Sequence, residues 1–212
     1  MKKPQYKIRV TKCVAHLFLL SLTVITYYQA IIGTDLTGQY INDPVKFVIH
    51  FSGMTGLQVL LLTLLISPLA QKFKQAWLMQ TRRMFGLYVA FFACLHVFSF
   101  WLFELNFQVD LFIEELVKRP YIWLGMLALT LLLALSVTSI NKIRAKMGPN
   151  WQKLHNWVYL VLVLVWVHFY WSVKATPTET LIYLAIVISL LAIRHKKLLK
   201  GLKALKRNEK IS

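Results

Sequence analysis

Runs of about twenty apolar residues alternate along the chain with short segments rich in charge, proline or asparagine. At 1.5 Å per residue such a run crosses about 30 Å of hydrocarbon, whereas a soluble helix would show a narrower apolar stripe. The pattern predicts six spans, near residues 13–32, 47–66, 84–103, 121–140, 154–173 and 178–193. Punctuation agrees with these limits. Asp43-Pro44 reads as N-cap and first helical residue of the second span, and Pro120 opens the fourth. Gly148-Pro149-Asn150 offers a turn and then an N-cap for the fifth span, and Thr176-Pro177-Thr178-Glu179 a capping box for the sixth. Short connections imply antiparallel neighbours. The expected fold is therefore an all-α membrane protein, a six-helix transmembrane bundle forming one domain over 1–212 with a basic tail at 194–212.

Charge orients this arrangement. The chain carries 25 Lys and Arg against 8 acids, a net +17. Lys and Arg at 2, 3, 7, 9 and 12, at 72, 74, 82 and 83, at 142, 144, 146 and 153, and from Arg194 onward all fall on one side if the spans alternate. The other side receives Lys46, Lys118, Arg119 and Lys174 with nearly every acid. The positive-inside rule makes the basic side, and both termini, cytoplasmic. This distribution accounts for the charge without nucleic acid. The basic run before the first span lacks a small-residue cleavage site, so it reads as a retained span. The tail from Arg194 to Lys210, with lysines three or four apart, reads as a surface helix drawn to anionic lipid. Trp77, Trp101, Tyr121, Trp123, Trp151, Trp157, Tyr170 and Trp171 fall where aromatic belts are expected. Cys13 and Cys94 fit neither a disulfide framework nor a zinc site and read as small buried apolar residues.

Histidines inside spans carry the chemistry, because an ionisable group in hydrocarbon is costly. His96 lies roughly 18 Å in from Met84, and His168 roughly 21 Å in from Leu154. Two imidazoles at one depth suit a six-coordinate haem; the alternative is a pair of hydrogen-bonded structural histidines, and the matched level favours ligation. His155 sits about 20 Å from His168 along the same helix, so a second haem would fit the gap. Its partner position, about fourteen residues before His96, is Arg82, which is no ordinary haem ligand. Thirteen residues turn an ideal helix through about 220°, so either the helix is distorted or His155 and His168 serve different ligands. His16 shares the inner depth on another helix. His50, near the outer end of the second span, is placed to bond a propionate, to act as an alternative axial ligand or to face the interface, and His195 falls on basic surface.

Several segments resemble a known family. They are Thr81-Arg-Arg-Met-Phe-Gly-Leu with Leu95-His96, Arg119-Pro-Tyr-Ile-Trp-Leu-Gly125, Trp151-Gln-Lys-Leu-His155-Asn-Trp-Val-Tyr, and His168-Phe-Tyr-Trp-Ser-Val-Lys174. With Asp43-Pro-Val-Lys, His50-Phe-Ser-Gly53 and Ser67-Pro-Leu-Ala70, they look like the MsrQ (formerly YedZ) family over nearly the whole chain, and more distantly like the ferric reductase and NADPH oxidase transmembrane domain. The resemblance implies a bacterial inner-membrane subunit with b-type haem, one or two per chain, and FMN. It also implies electron delivery to a periplasmic molybdopterin-containing methionine-sulfoxide reductase. Family ligands carry onto His96 and His168, with His155 as a further haem-associated residue. Oxidase-type domains use two histidine pairs, and Arg82 here occupies the place of one member. Arg82 and Arg83 then suit either a flavin phosphate or simple topology anchoring.

No glycine-rich dinucleotide fingerprint occurs, so electrons are expected from a separate flavin reductase or from quinone. A basic inner face would steer acidic proteins or anionic flavin toward it. The competing reading is a small transporter or proton pathway with histidine relays, which would want carboxylates inside the spans; none of the eight acids lies well inside one. A purely structural anchor would not need His96 and His168 at one depth.

Overall fold

A computed structural model describes residues 3–172 and 178–193, which are helical throughout apart from short connections. The expected capping box beginning at Thr176, Lys174, His195 and the basic tail lie at least partly outside the described residues. The helices are α1 (Lys3–Ile32), α2 (Pro44–Lys72), α3 (Arg82–Ser99), α4 (Val109–Lys118), α5 (Pro120–Val137), α6 (Asn141–Met147), α7 (Pro149–His155), α8 (Val158–Ser172) and α9 (Thr178–Ile193). Among the described residues five segments are long and apolar enough to cross a membrane: Gln5–Ile32, Pro44–Lys72, Ala76–Glu104, Pro120–Val137 and Pro149–Ser172. They correspond to the first five expected spans, and the chain is a multi-pass membrane protein. The sixth, α9, is apolar but spans only about 24 Å at 1.5 Å per residue.

The exposed surface suits lipid. Leu17, Phe18, Val24 and Ile31 are 61–83% exposed along α1, and Trp123, Val137, Trp157 and Ile193 are exposed elsewhere. Apolar side chains bare over whole helices need a hydrocarbon solvent.

The chain divides into two compact units, 1–123 and 124–212. In the first, α2 and α3 form the main pairing. Leu57, Leu60, Leu61 and Leu64 of α2 and Val89 and Phe92 of α3 are all buried. Gly56 lets the helices close: a Cβ there would lie 3.5 Å from Phe92 Cβ. Between helices in hydrocarbon, such small residues and buried hydroxyls replace the hydrophobic drive available in water. Ser52 donates to the α2 carbonyls of Val48 and Ile49, and Tyr27 of α1 bonds Ser99 of α3 at 2.6 Å. Asp43 caps α2 as expected, accepting from Lys46 N at 3.0 Å with Pro44 at the first helical position.

Three features depart from the expected outline. The third span ends in a π-helical turn at Phe100–Glu104, and the loop after it holds the amphipathic helix α4 rather than a bare connection. Two of its three acids pair toward its C-terminal end, Glu114 with Lys118 and Glu115 with Arg119 just past the helix. The fifth span is interrupted at Asn156 and Trp157, between α7 and α8. The cap expected at Asn150 falls instead on Gly148, at φ 51°, with Pro149 first in the helix. Proline's fixed φ suits that first position, and its missing N–H costs nothing there.

In the second unit, Ala128, Leu132 and Leu135 of α5, Val161, Leu162 and Phe169 of α8, and Val187 and Leu190 of α9 are buried. Phe169 packs edge-on against Tyr183, and Trp166 Nε1 donates to Thr180 O at 3.2 Å.

Candidate functional site

His96 is seated by α2. Ser52 and Gly53 lie one turn beyond Ile49, so that a serine hydroxyl, a bare Cα and a carbonyl meet the ring together. His96 Nδ1 lies 2.9 Å from Ile49 O and 3.5 Å from Ser52 Oγ. A carbonyl oxygen only accepts, so Nδ1 carries the proton and the imidazole lone pair is on Nε2. Metal-ligating histidines commonly show this arrangement, in which a backbone acceptor fixes tautomer and ring orientation. Glycine leaves the ring its place at position 53, since a Cβ there would stand 3.0 Å from Nδ1 and 3.1 Å from Cε1 of His96 and the ring would have to give by a few tenths of an ångström.

His168 of α8 has an equivalent seat within the second unit. A Cβ on Gly125 of α5 would lie 2.9 Å from both Nδ1 and Cε1 of His168. The His96 and His168 rings thus each lie against a glycine of a neighbouring helix. An ordinary carbon contact is about 3.5–4.0 Å, so any larger residue would push either ring aside.

His155 is held differently. Thr138 Oγ1 donates to Ala134 O at 2.7 Å and therefore accepts from His155 Nε2 at 3.2 Å. The ring stacks on Trp151 with centroids 4.0 Å apart. Trp151 donates to Thr138 O at 2.9 Å and lies 4.5 Å beneath the Arg144 guanidinium. The break at Asn156–Trp157 falls between His155 and His168, which is the helix distortion that their 220° offset allowed for.

Cys13 and Cys94, expected to be buried, are both exposed on helices whose surroundings would be lipid, and the other expected residues are more dispersed. His50 is exposed on α2. Arg82 extends NH1 to Ser67 Oγ at 3.5 Å, a long contact within the first unit. Arg83 is exposed and borders a groove of about 670 Å³ between α1 and α3, with Lys12, His16, Gln80 and Tyr88. Two polar groups have a role that the sequence did not show: Trp101 was read as part of an aromatic belt and Tyr88 was not singled out. The Trp101 indole N–H, five residues beyond His96, is buried without an acceptor among the described residues. Tyr88 bonds His16 Nδ1 at 2.6 Å. An aromatic in a span reads as belt or packing, and nothing in one dimension distinguishes these two.

Among the described residues no three His, Cys, Asp or Glu side chains cluster to hold a bare metal ion. Haem asks less of the protein, because the porphyrin supplies four ligands and the chain only axial donors. The fixed Nε2 lone pair of His96 and the two glycine seats fit that demand.

A family model described as "Ferric reductase like transmembrane component" covers residues 51–166, more than half of the chain. The match takes in Gly53, His96, Gly125 and His155 and points to a membrane electron-transfer role; His168 lies two residues past its end.

Proposed function

Since the chain belongs to the ferric reductase-like transmembrane family, we propose that it is a haem b electron-transfer subunit in which His96 and His168 would hold the haem. The observation that carries this reading is His96 itself, a half-buried intramembrane imidazole whose Nδ1–H is committed to Ile49 O. Gly125 supports the same role for His168, clearing the space its ring occupies. When bound, haem supplies one-electron ferric/ferrous chemistry at a potential set by its ligands and burial. The chain's part is to orient the two imidazoles and keep water away from them. Trp101 N–H offers a donor for a propionate. One haem is the count we favour: a second would need His155 to give up Thr138, and its partner position is Arg82, already turned to Ser67.

Both termini are proposed to face the cytoplasm, on the distribution of lysine and arginine. Electrons then enter from a flavin reductase with FMN, or from quinol, on the basic side. They leave to a periplasmic molybdopterin-containing methionine-sulfoxide reductase, as the resemblance to MsrQ implies for a bacterial inner-membrane protein. Arg82 and Arg83 are candidate phosphate contacts for the flavin. Reconstitution in vesicles with that reductase outside tests the assignment: ferrous haem should be reoxidised only when the reductase and a methionine-sulfoxide peptide are both present. Reoxidation that ignores the reductase would refute the partner.

A further inference from the structure

We propose that the α1/α3 groove binds a membrane-dissolved hydroquinone and that the His16–Tyr88 pair takes up its protons; this rests on the haem reading above. Lys12, His16 and Leu20 recur every fourth residue and so line one face of α1, opposite Gln80, Arg83, Met84, Leu87, Tyr88 and Phe91. The groove is thus basic at one end, apolar at the other, and crossed midway by the 2.6 Å His16–Tyr88 hydrogen bond. Leu20, Leu87 and Phe91 are exposed, so the apolar end opens where lipid would lie.

His16 is exposed although it lies in a span. It lies only about 5 Å inside the expected start of the span at residue 13, one turn from Lys12, so an ionisable group there can exchange protons with the water at the membrane's inner boundary. An aromatic diol with an isoprenoid tail matches the groove from end to end. Its tail follows the leucines, its ring meets the Phe91 edge, and a hydroxyl reaches the imidazole. Oxidation releases two protons and two electrons. The protons pass in turn to His16 and then to water at the Lys12 end. The diol's two electrons would be taken one at a time by the haem that His96 and His168 would hold, with the partner as the final acceptor. Lys12 and Arg83 favour the anion formed when the first proton leaves. Tyr88 and His96 share α3, eight residues and about 12 Å apart along its axis.

Two measurements test this on the full chain in lipid nanodiscs. Photolabelling with a short-chain azidobenzoquinone should mark peptides spanning 12–20 and 80–91, be competed by decylubiquinol, and fall in His16→Ala; labelling elsewhere overturns the proposal. In stopped flow, decylubiquinol should reduce haem at least about tenfold more slowly in His16→Ala and Tyr88→Phe, after normalisation to dithionite-reducible haem. Wild-type rates in both variants overturn it. So does phosphatidylglycerol that is retained by wild type, lost in Lys12→Gln with Arg83→Gln, and not displaced by decylubiquinol, since the groove would then be a lipid seat. Wild-type protein without dithionite-reducible haem refutes the function reading instead, and photolabelling still decides the groove.

Discussion

Replacing Gly125 by alanine adds one methyl group, at a place where the structure leaves no room for it. The new Cβ would stand 2.9 Å from two atoms of the His168 ring, against an ordinary contact of about 3.5–4.0 Å. The ring must therefore move by about 0.6–1.1 Å. Coordination distances tolerate only about 0.2 Å, so the shift would take the imidazole out of ligating position for a haem that His168 would hold. Overpacking of this kind costs about 1–3 kcal/mol, which corresponds to a roughly 5- to 150-fold loss of haem affinity if it falls on the bound state. Helix formation itself does not suffer, because alanine is favoured over glycine by up to about 1 kcal/mol. The assay is haem titration of protein expressed without haem, with the spectrum of whatever is retained. Gly86→Ala is the control: its Cβ would meet Thr63 Cγ2 at 4.0 Å, an ordinary contact, and haem binding should be unchanged. Wild-type affinity and spectrum in Gly125→Ala would refute the reasoning.

Three further outcomes are expected. Gly53→Ala places a methyl 3.0 Å from His96 Nδ1 and should likewise weaken haem, with resonance Raman reporting altered iron–imidazole modes; unchanged modes would contradict the seat. Phe92→Ala removes a fully buried ring between α2 and α3 and should cost about 3–5 kcal/mol, seen as a lower Tm in detergent; an unshifted Tm would mean that pairing is not the core. Asp35 accepts from Thr37 N, Thr37 Oγ1 and Gln39 N at 2.7–2.9 Å. The Thr37 hydroxyl foremost, then Gln39 N–H, holds its carboxyl below the ordinary carboxylate range. The folded-state value is thus the lower one, so this loop's order is complete above the unfolded pKa of about 3.9 and is lost only as pH falls through the folded value. Asp35→Asn should accelerate amide exchange at Thr37 and Gln39 at pH 6; wild-type exchange there would refute the capping role.

Much of this was legible in one dimension because it depends on local pattern. Five spans follow from hydropathy alone, and Asp43-Pro44 and Pro120 mark helix starts by chemistry confined to a few residues. Helix α4 escaped because ten residues with paired acids resemble a polar loop when the question asked is whether a stretch can cross a bilayer. The break before α8 escaped because Asn156 and Trp157 carry neither proline nor glycine. His96 and His168 stood out through the cost of an imidazole in hydrocarbon. Their seats did not: that Ile49 O takes the His96 proton, or that Gly53 and Gly125 meet imidazole rings, depends on residues more than forty apart being packed together. Glycine in a span has many bland explanations, and only the built Cβ distances separate these two from Gly86. The His16–Tyr88 bond, across 72 residues, is hidden for the same reason.

The central claim is haem held by His96 and His168, and the difference spectrum tests it most directly. Reduced-minus-oxidised absorption should be recorded on purified wild type, His96→Ala and His168→Ala, expressed with haem supplied, with haem quantified per chain. The account predicts a low-spin b-type spectrum in wild type at about one haem per chain, absent or converted to high spin in each variant. Haem-free wild type, or a wild-type spectrum in either variant, would contradict it.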